Sequence, residues 1–234
     1  MSRGSDYIIE VMALTMLLII TMKALVPLWI ALCALPFHLF AMDNSALVLE
    51  QINLARVSPR QYAETLERRM EGVPTREGRR VVDEAIAFLR SVTPLPPLAY
   101  SEGMASGASR HVADQGSRGT FGHTGSDRST PWDRMSGAGK WMGSAGENIS
   151  YGYADPEMIV ATLIVDDGVR GRGHRGNIFN RGFSVAGIAC GPHARFGEMC
   201  VIDFAGGFIE NGAANPAARH GVGATWSRGG SDRI

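Results

Sequence analysis

From Ile8 to Met42 the chain is almost continuously apolar, interrupted mainly by Glu10, Lys23, two prolines and His38. A run of that length is a membrane or export signal, so the folded domain must be built from the residues after it. The run divides at Lys23. Met22 and Lys23 form a short positive n-region, Ala24 to Leu35 an apolar h-region, and Leu39-Phe40-Ala41 a cleavage site. Residues 22–41 therefore read as a signal peptide within a 1–42 signal or anchor segment, with Met1 to Thr21 an upstream extension from a misassigned start. The mature protein then begins near Met42 or Asp43. The alternative is an uncleaved segment that anchors the protein to the membrane. Both readings place the domain outside the cytoplasm, as a secreted, periplasmic or extracellular protein.

The 23 Lys and Arg balance the 23 Asp and Glu, which argues against a nucleic-acid or anionic-membrane partner and leaves membrane contact to the N-terminal segment. Residues 43–210 read as one domain, and 211–234, rich in Gly and Ala with only Trp226 to bury, as a mobile tail. Cys33 lies in the apolar segment, so a mature chain keeps Cys190 and Cys200. Exported proteins meet oxidants, and Gly191, Pro192 and Gly197 between the two cysteines read as a hairpin turn that brings the sulfurs together in a disulfide. The alternative is two buried thiols that merely pack.

Helices are expected first. Asn44 or Ser45 caps one running to Arg56, with Ala46, Leu49 and Ile52 on one face; Ser58-Pro59 starts a second, with Tyr62, Leu66 and Met70 buried. Arg76 to Val92 repeats the pattern through Val82, Ile86 and Leu89. After Pro94 to Pro97 comes a short extended entry, Leu98-Ala99-Tyr100, and Ser101 caps a helix to Gln115. Residues 116–146 read as a long ordered loop holding His123, Trp132 and Trp141. Ile149 to Tyr151 is a short strand and Asp155-Pro156 opens a helix to Asp166, apolar nearly all round. Phe183 to Cys190 and Met199 to Phe204 pair as an antiparallel hairpin.

Five blocks then fall in a telling order. They are Asn53-Leu54-Ala55-Arg56 with Pro59; Leu98 to Ala105 with Ala108 and His111; Phe121-Gly122-His123-Thr124-Gly125; Gly146-Glu147-Asn148-Ile149 with Tyr151-Gly152; and Gly173-His174-Arg175-Gly176-Asn177-Ile178. Phe183, Gly187 and the Cys200 to Phe204 run complete the series. Together they resemble the CAP superfamily of cysteine-rich secretory, antigen 5 and pathogenesis-related proteins, in its bacterial form. The resemblance implies an α+β fold, a three-layer α/β/α sandwich with a central antiparallel sheet, and an extracytoplasmic setting. One block departs from the pattern: where the family carries Trp-x-x-Glu or Trp-x-x-Ser, this chain has Leu163-Ile164-Val165-Asp166, with Asp167 beside it. Either aspartate could fill the fourth position of the family's polar cluster.

The resemblance also implies that His123, Glu147, Asp166 and His174 line one cavity, two imidazoles facing two carboxylates. Two neutral imidazoles, His123 and His174, suit a divalent, zinc-like cation bound weakly with open positions, released as acid protonates the rings. Glu147 then orients a ring by accepting its other N–H. Three readings stay open. The domain is a binding module for a cation and a lipid, sterol-like or cell-wall ligand; or a metal-assisted extracellular hydrolase with Glu147 as base; or a structural interaction domain whose cluster satisfies its own hydrogen bonds. No ready-made hydrolase motif is present. Among other candidates, His111 reads as a surface or packing residue and Arg170, Arg172 and Arg175 as a solvated loop in which Arg175 makes a structural ion pair. Trp132 and Trp141 read as loop anchors, and His193 as exposed in the hairpin turn.

Overall fold

A computed structural model of the chain describes residues 44–212. The signal or anchor segment, its cleavage site, Cys33 and the tail with Trp226 lie outside the described residues. Among the described residues no helix is long and apolar enough to cross a membrane.

Helix α1 spans Asn44–Val57, α2 Pro59–Arg69 and α3 Arg79–Ser91. On α1 the buried stripe is Val48, Ile52 and Ala55, so the helix is rotated from the expected Ala46 face, which stays exposed. Pro59 takes the first position of α2, where a missing N–H costs nothing, but the Ser58 side chain makes no capping bond. Helix α3 starts later than Arg76 because the backbone N–H groups of Arg76 and Glu77 are held by Asp167 and Gly78 turns through a positive φ. Helix α4, Glu102–Arg118, begins as expected: the Ser101 hydroxyl accepts from Met104 N at 3.1 Å. Helix α6, Pro156–Val165, is capped by Asp155 and buries six of its side chains, as its all-round apolar pattern requires.

The stretch expected as a loop before Gly146 is more structured than that. It holds a short helix α5, Pro131–Ser136, and the first half of a long strand β2, Gly139–Tyr151. A reciprocal cap starts α5: Thr130 accepts from Asp133 N while Asp133 accepts from Thr130 N. Strand β2 has many glycines and little strand propensity; it exists because β4, Gly197–Glu210, pairs with it along its length.

Strand order is β1-β3-β4-β2, with β1 at Ala99–Tyr100 and β3 at Val185–His193. The β2–β4 and β3–β4 pairs are antiparallel, but β1 lies parallel to β3, so the sheet is mixed rather than antiparallel. Partners joined by a long crossover are free to run the same way, which a tight hairpin forbids. Gly191 and Pro192, expected in the turn, belong to β3; the turn is Ala194 to Phe196. Cys190 lies opposite Cys200 and the two form a disulfide.

Alternation along the strands sorts the core into two layers. Ala186, Ile188, Cys200, Ile202 and Phe204 pack against α1, α2, α3 and α6. Met199 and Val201 meet Ala108 and Val112 of α4, while Val185 and Ala205 meet Met104 and Met135. Helices therefore cover both faces, and the α/β/α expectation holds.

Candidate functional site

The edge strand β2 carries Glu147 and Asn148 in succession, so their side chains leave on opposite faces of the sheet. Toward α4 and α5, Glu147 is buried with both oxygens engaged. His123 Nδ1 donates to Oε1 at 2.6 Å and Arg134 Nη2 to Oε2 at 2.7 Å. Arg134, on α5 and itself buried, also donates to the carbonyls of Ser129 and His123, which locks the loop that carries the histidine.

On the other face, Asn148 donates to the His174 carbonyl at 3.0 Å and accepts from Asn177 at 2.8 Å. Asp166 closes α6 as its C-cap, in the left-handed region at φ 57°, a conformation aspartate tolerates better than most side chains. That geometry turns its carboxylate onto the next helix, α7, Gly173–Ile178. His174 N donates to Oδ2 at 2.8 Å and the ring Nδ1 to Oδ1 at 2.6 Å. Asp167 points elsewhere, to Arg76 and Glu77.

The four sequence candidates thus form two matched pairs, His123 with Glu147 and His174 with Asp166, tied to adjacent residues of one edge strand. Each ring commits Nδ1 to a carboxylate and leaves Nε2 without a protein partner among the described residues. Both rings keep solvent exposure, 54% for the His123 side chain and 26% for His174. A cavity of about 240 Å³ beside His174 has a mixed wall, with Met70, Val73, Leu163 and Val165 among its apolar residues and Thr75 and Ser150 among its polar ones; His123 is not in its wall. The Tyr151 hydroxyl links the two sides, accepting from Gly122 N at 3.0 Å.

The model of the cysteine-rich secretory protein (CAP) family matches residues 78–204, more than half of the chain. The chain belongs to the CAP family. Similar solved structures include an extracellular protein containing an SCP domain from Bacillus anthracis, at 24% identity and TM-score 0.39 over 54% of this chain and 39% of that one. An outer surface protein from Borrelia burgdorferi is 18% identical at TM-score 0.42, over 57% and 95% of the two chains. A cysteine-rich secretory protein from Staphylococcus aureus is 14% identical at TM-score 0.35, over 57% and 41%. The chain therefore spans about two fifths of the Bacillus and Staphylococcus proteins. No curated protein matches.

Other residues of this CAP domain turn out to build the scaffold. Arg172 bridges Glu77 and Glu84, and Arg175 joins Glu84 and the carbonyls of Ile164 and Val165, so of the three basic residues only Arg170 is exposed. His193 is buried, not exposed: Nε2 donates to Thr120 O at 2.7 Å while Nδ1 accepts from Arg195 N and Phe196 N, which pins the hairpin turn to the end of α4. Trp141 donates to Ser136 Oγ as an anchor does, whereas Trp132 stays exposed.

Sequence reasoning missed two CAP-site residues. Arg134 was hidden because α5 reads as loop, although Thr130-Pro131-Trp132-Asp133 is a helix-start signal. The other is Asp203, opposite Glu147 on β4, whose only signal is a carboxylate inside an apolar strand. It is fully buried, and neither oxygen meets a donor. Burial first, then the charge of Glu147, push its pKa well above the ordinary carboxylate value, and once protonated it donates toward Glu147.

Because the folded-state pKa is raised, Asp203 costs nothing below the unfolded carboxylate range, about 4, and increasingly destabilises the fold as pH climbs from there toward the folded-state value. Asp203→Asn keeps a donor toward Glu147 and cannot ionise. It is expected to raise the melting temperature at pH 7 by about 3 °C or more, with the gain vanishing near pH 4. A gain that persists unchanged in acid would contradict a neutral Asp203.

Proposed function

We propose that this CAP domain, residues 43–210, is an exported binding module that holds a divalent, zinc-like cation weakly between His123 and His174 and a small lipid-like or cell-surface ligand beside it. The observation that carries this reading is the duplicated arrangement of the rings. A carboxylate on each Nδ1 fixes the tautomer and directs a bare, basic Nε2 outward, as the outer partners of metal-bound histidines do. The donor set suits a weak and open site. Among the described residues no group of three or more His, Cys, Asp and Glu is placed to hold a metal, so a cation here would have only the two ring nitrogens from the protein, with water completing its shell. The apolar part of the cavity wall beside His174, Met70, Val73, Leu163 and Val165, supports an apolar ligand part there, set beside the polar Thr75 and Ser150.

Export is supported by the apolar N-terminal segment and by membership of a family described as secretory. Glu147, the base a hydrolase would use, has both oxygens bonded, which supports a role in holding His123.

Zinc titration by calorimetry on protein purified without chelators tests the proposal. The wild type is expected to bind one ion with a dissociation constant of about 1 μM or weaker, and His174→Ala and His123→Ala each to weaken it at least about tenfold. Both variants are expected to melt below wild type even in chelator, because each leaves a buried carboxylate oxygen without its ring donor, so binding is measured at a temperature where all three proteins are folded. Equal, negligible binding by wild type and variants removes the cation from the site.

A further inference from the structure

Strand β2 lies at the edge of the sheet, so one side of its backbone has no strand beside it. Three hydrogen bonds fix which residues point that way. Gly152 N donates to Glu198 O at 2.8 Å, so Ser150, Asn148 and Gly146, in step with it, turn their N–H and C=O groups toward β4. On the far side of β3, the Ala186 carbonyl accepts from Ser101 N, and carrying that phase through the β3–β4 and β4–β2 registers gives the same assignment. The Glu147 carbonyl accepts from the Asn177 side chain at 3.3 Å, off the sheet. Glu147, Ile149 and Tyr151 therefore present their backbone groups outward.

Asn177 closes the edge at Glu147, but among the described residues no group bonds the outward N–H and C=O of Ile149 or of Tyr151. Both residues line the cavity beside His174. The Ile149 side chain packs with Ala108 and Val112 on the α4 face of the sheet, whereas Leu163 and Val165 of the same cavity wall belong to the layer on the other face. What Ile149 offers to the cavity is thus its backbone. Such groups always take a hydrogen-bond partner, so a ligand that displaces water from them without replacing its bonds gives up more than each bond was worth.

That cost decides between ligand classes. A lipid tail would cover the four groups and bond none of them. Another extended backbone matches all four: two of its residues, separated by one, exchange bonds with Ile149 and Tyr151, whose outward groups repeat every two residues, about 6.8 Å. The residue between them lies opposite Ser150 and sends its side chain to the face that Ser150 shares with Cys200, where Met70, Val73, Leu163 and Val165 form an apolar wall. Asn177 blocks pairing beyond Ile149, so the recognised length is about three residues.

We propose that the cavity beside His174 holds an extended segment of another protein, added as a strand to β2 at Ile149 and Tyr151, with one apolar side chain of that segment set against Val73 and Leu163. The proposal rests on the reading of this cavity as the ligand site and narrows the cell-surface ligand to a polypeptide. It uses neither ring nitrogen of the proposed cation site.

The test is an NMR titration of the ¹⁵N-labelled protein with the neutral tripeptide acetyl-Ala-Leu-Ala-amide to about 20 mM, a range that covers a dissociation constant near 1 mM. The same peptide N-methylated at both alanines, and decanoate, are titrated beside it. Expected are saturable downfield shifts of the Ile149 and Tyr151 amide protons, with the Ser150 amide between them, whose N–H faces β4, moving least. That alternation separates an added strand from a side chain merely lodged on the apolar wall. N-methylation, which removes the two donors, should weaken binding about tenfold or more. Val73→Asp, at a half-buried position, should weaken it about fivefold or more; if that variant does not fold, the N-methylated peptide, which alters only the ligand, carries the decision. Shifts with decanoate but not with the tripeptide keep the cavity as a ligand site and overturn the polypeptide. Equal binding of the two peptides, shifts without the alternation, or no saturation by the tripeptide overturn it as well, and with no response to decanoate either the ligand reading of the cavity falls too. Repeating the titration in chelator should leave the peptide response intact, so loss of the cation site and loss of this one are told apart.

Discussion

Arg56→Ala is expected to lower the unfolding free energy by about 4 kcal/mol, a large part of the roughly 5–15 kcal/mol that holds a domain of this kind together. Arg56 is among the largest fully buried side chains, and its guanidinium bonds are to carbonyls rather than to any carboxylate among the described residues. It donates to four carbonyls: Pro96 at 3.0 Å, Ile178 at 2.6 Å, Asn180 at 3.2 Å and Phe183 at 3.1 Å. One side chain on α1 thus ties down the connection before β1 and the segment between α7 and β3. Removing it leaves the buried Ile178 and Phe183 carbonyls short of a donor, each costing more than the bond itself was worth, while the part-buried Pro96 and Asn180 carbonyls lose the link that holds their segments. Burial lowers the Arg56 pKa, yet it remains charged, because a guanidinium does not lose its proton in this environment. Arg56→Lys should recover about half of the loss, since a compact ammonium cannot span the fork. Urea unfolding with a common m-value is the measurement; a loss under about 1 kcal/mol for the alanine variant would show that the fork is not what joins these segments.

Gly187→Ala is expected to cost about 3 kcal/mol or to prevent folding, although it adds a single methyl group. Gly187 lies on β3 facing α4, and a Cβ there would stand 2.2 Å from Ala105 N and 2.3 Å from the Met104 carbonyl carbon. Those are backbone atoms of a helix whose start is fixed by the Ser101 cap, so the clash cannot be relieved by swinging a side chain away. Either α4 lifts off the sheet, opening the layer that holds His111 and Arg134, or β3 bends. Gly191→Ala on the same face is the control: its Cβ would meet only a Val112 methyl at 2.9 Å, and the loss should be about 1 kcal/mol. Thermal melts of the two variants side by side decide it, and equal losses would mean that the approach of α4 to β3 is looser than described.

Both predictions concern residues inside the blocks that carry the family resemblance, and their roles are structural. Asn53, three residues before Arg56, exchanges two hydrogen bonds with Leu98, donating to its carbonyl and accepting from its N–H. Family likeness therefore reports the scaffold at least as strongly as the site. The site itself was legible to the extent that His123, Glu147, Asp166 and His174 could be named. Their pairing was not, because which carboxylate meets which ring depends on α6 ending in a left-handed residue and on β2 lying at the sheet edge.

Local signals in the chain were enough for the caps at Ser101 and Asp155, the apolar faces of α2, α3 and α6, the β3–β4 hairpin and the opposition of Cys190 and Cys200. Each of these rests on interactions within a few residues, or on a turn that a short span of sequence encodes. Long-range contacts decided the rest. The glycine-rich β2 became a strand because β4 offered it a ladder, β1 ran parallel through a crossover, and His193 was buried by the end of α4. Asp203 has its pKa pushed up because the pleat buries it out of reach of water beside the charge of Glu147. Burial and hydrogen-bond partners belong to the packed molecule, and their free energies outweigh the smaller preferences that residue type alone expresses.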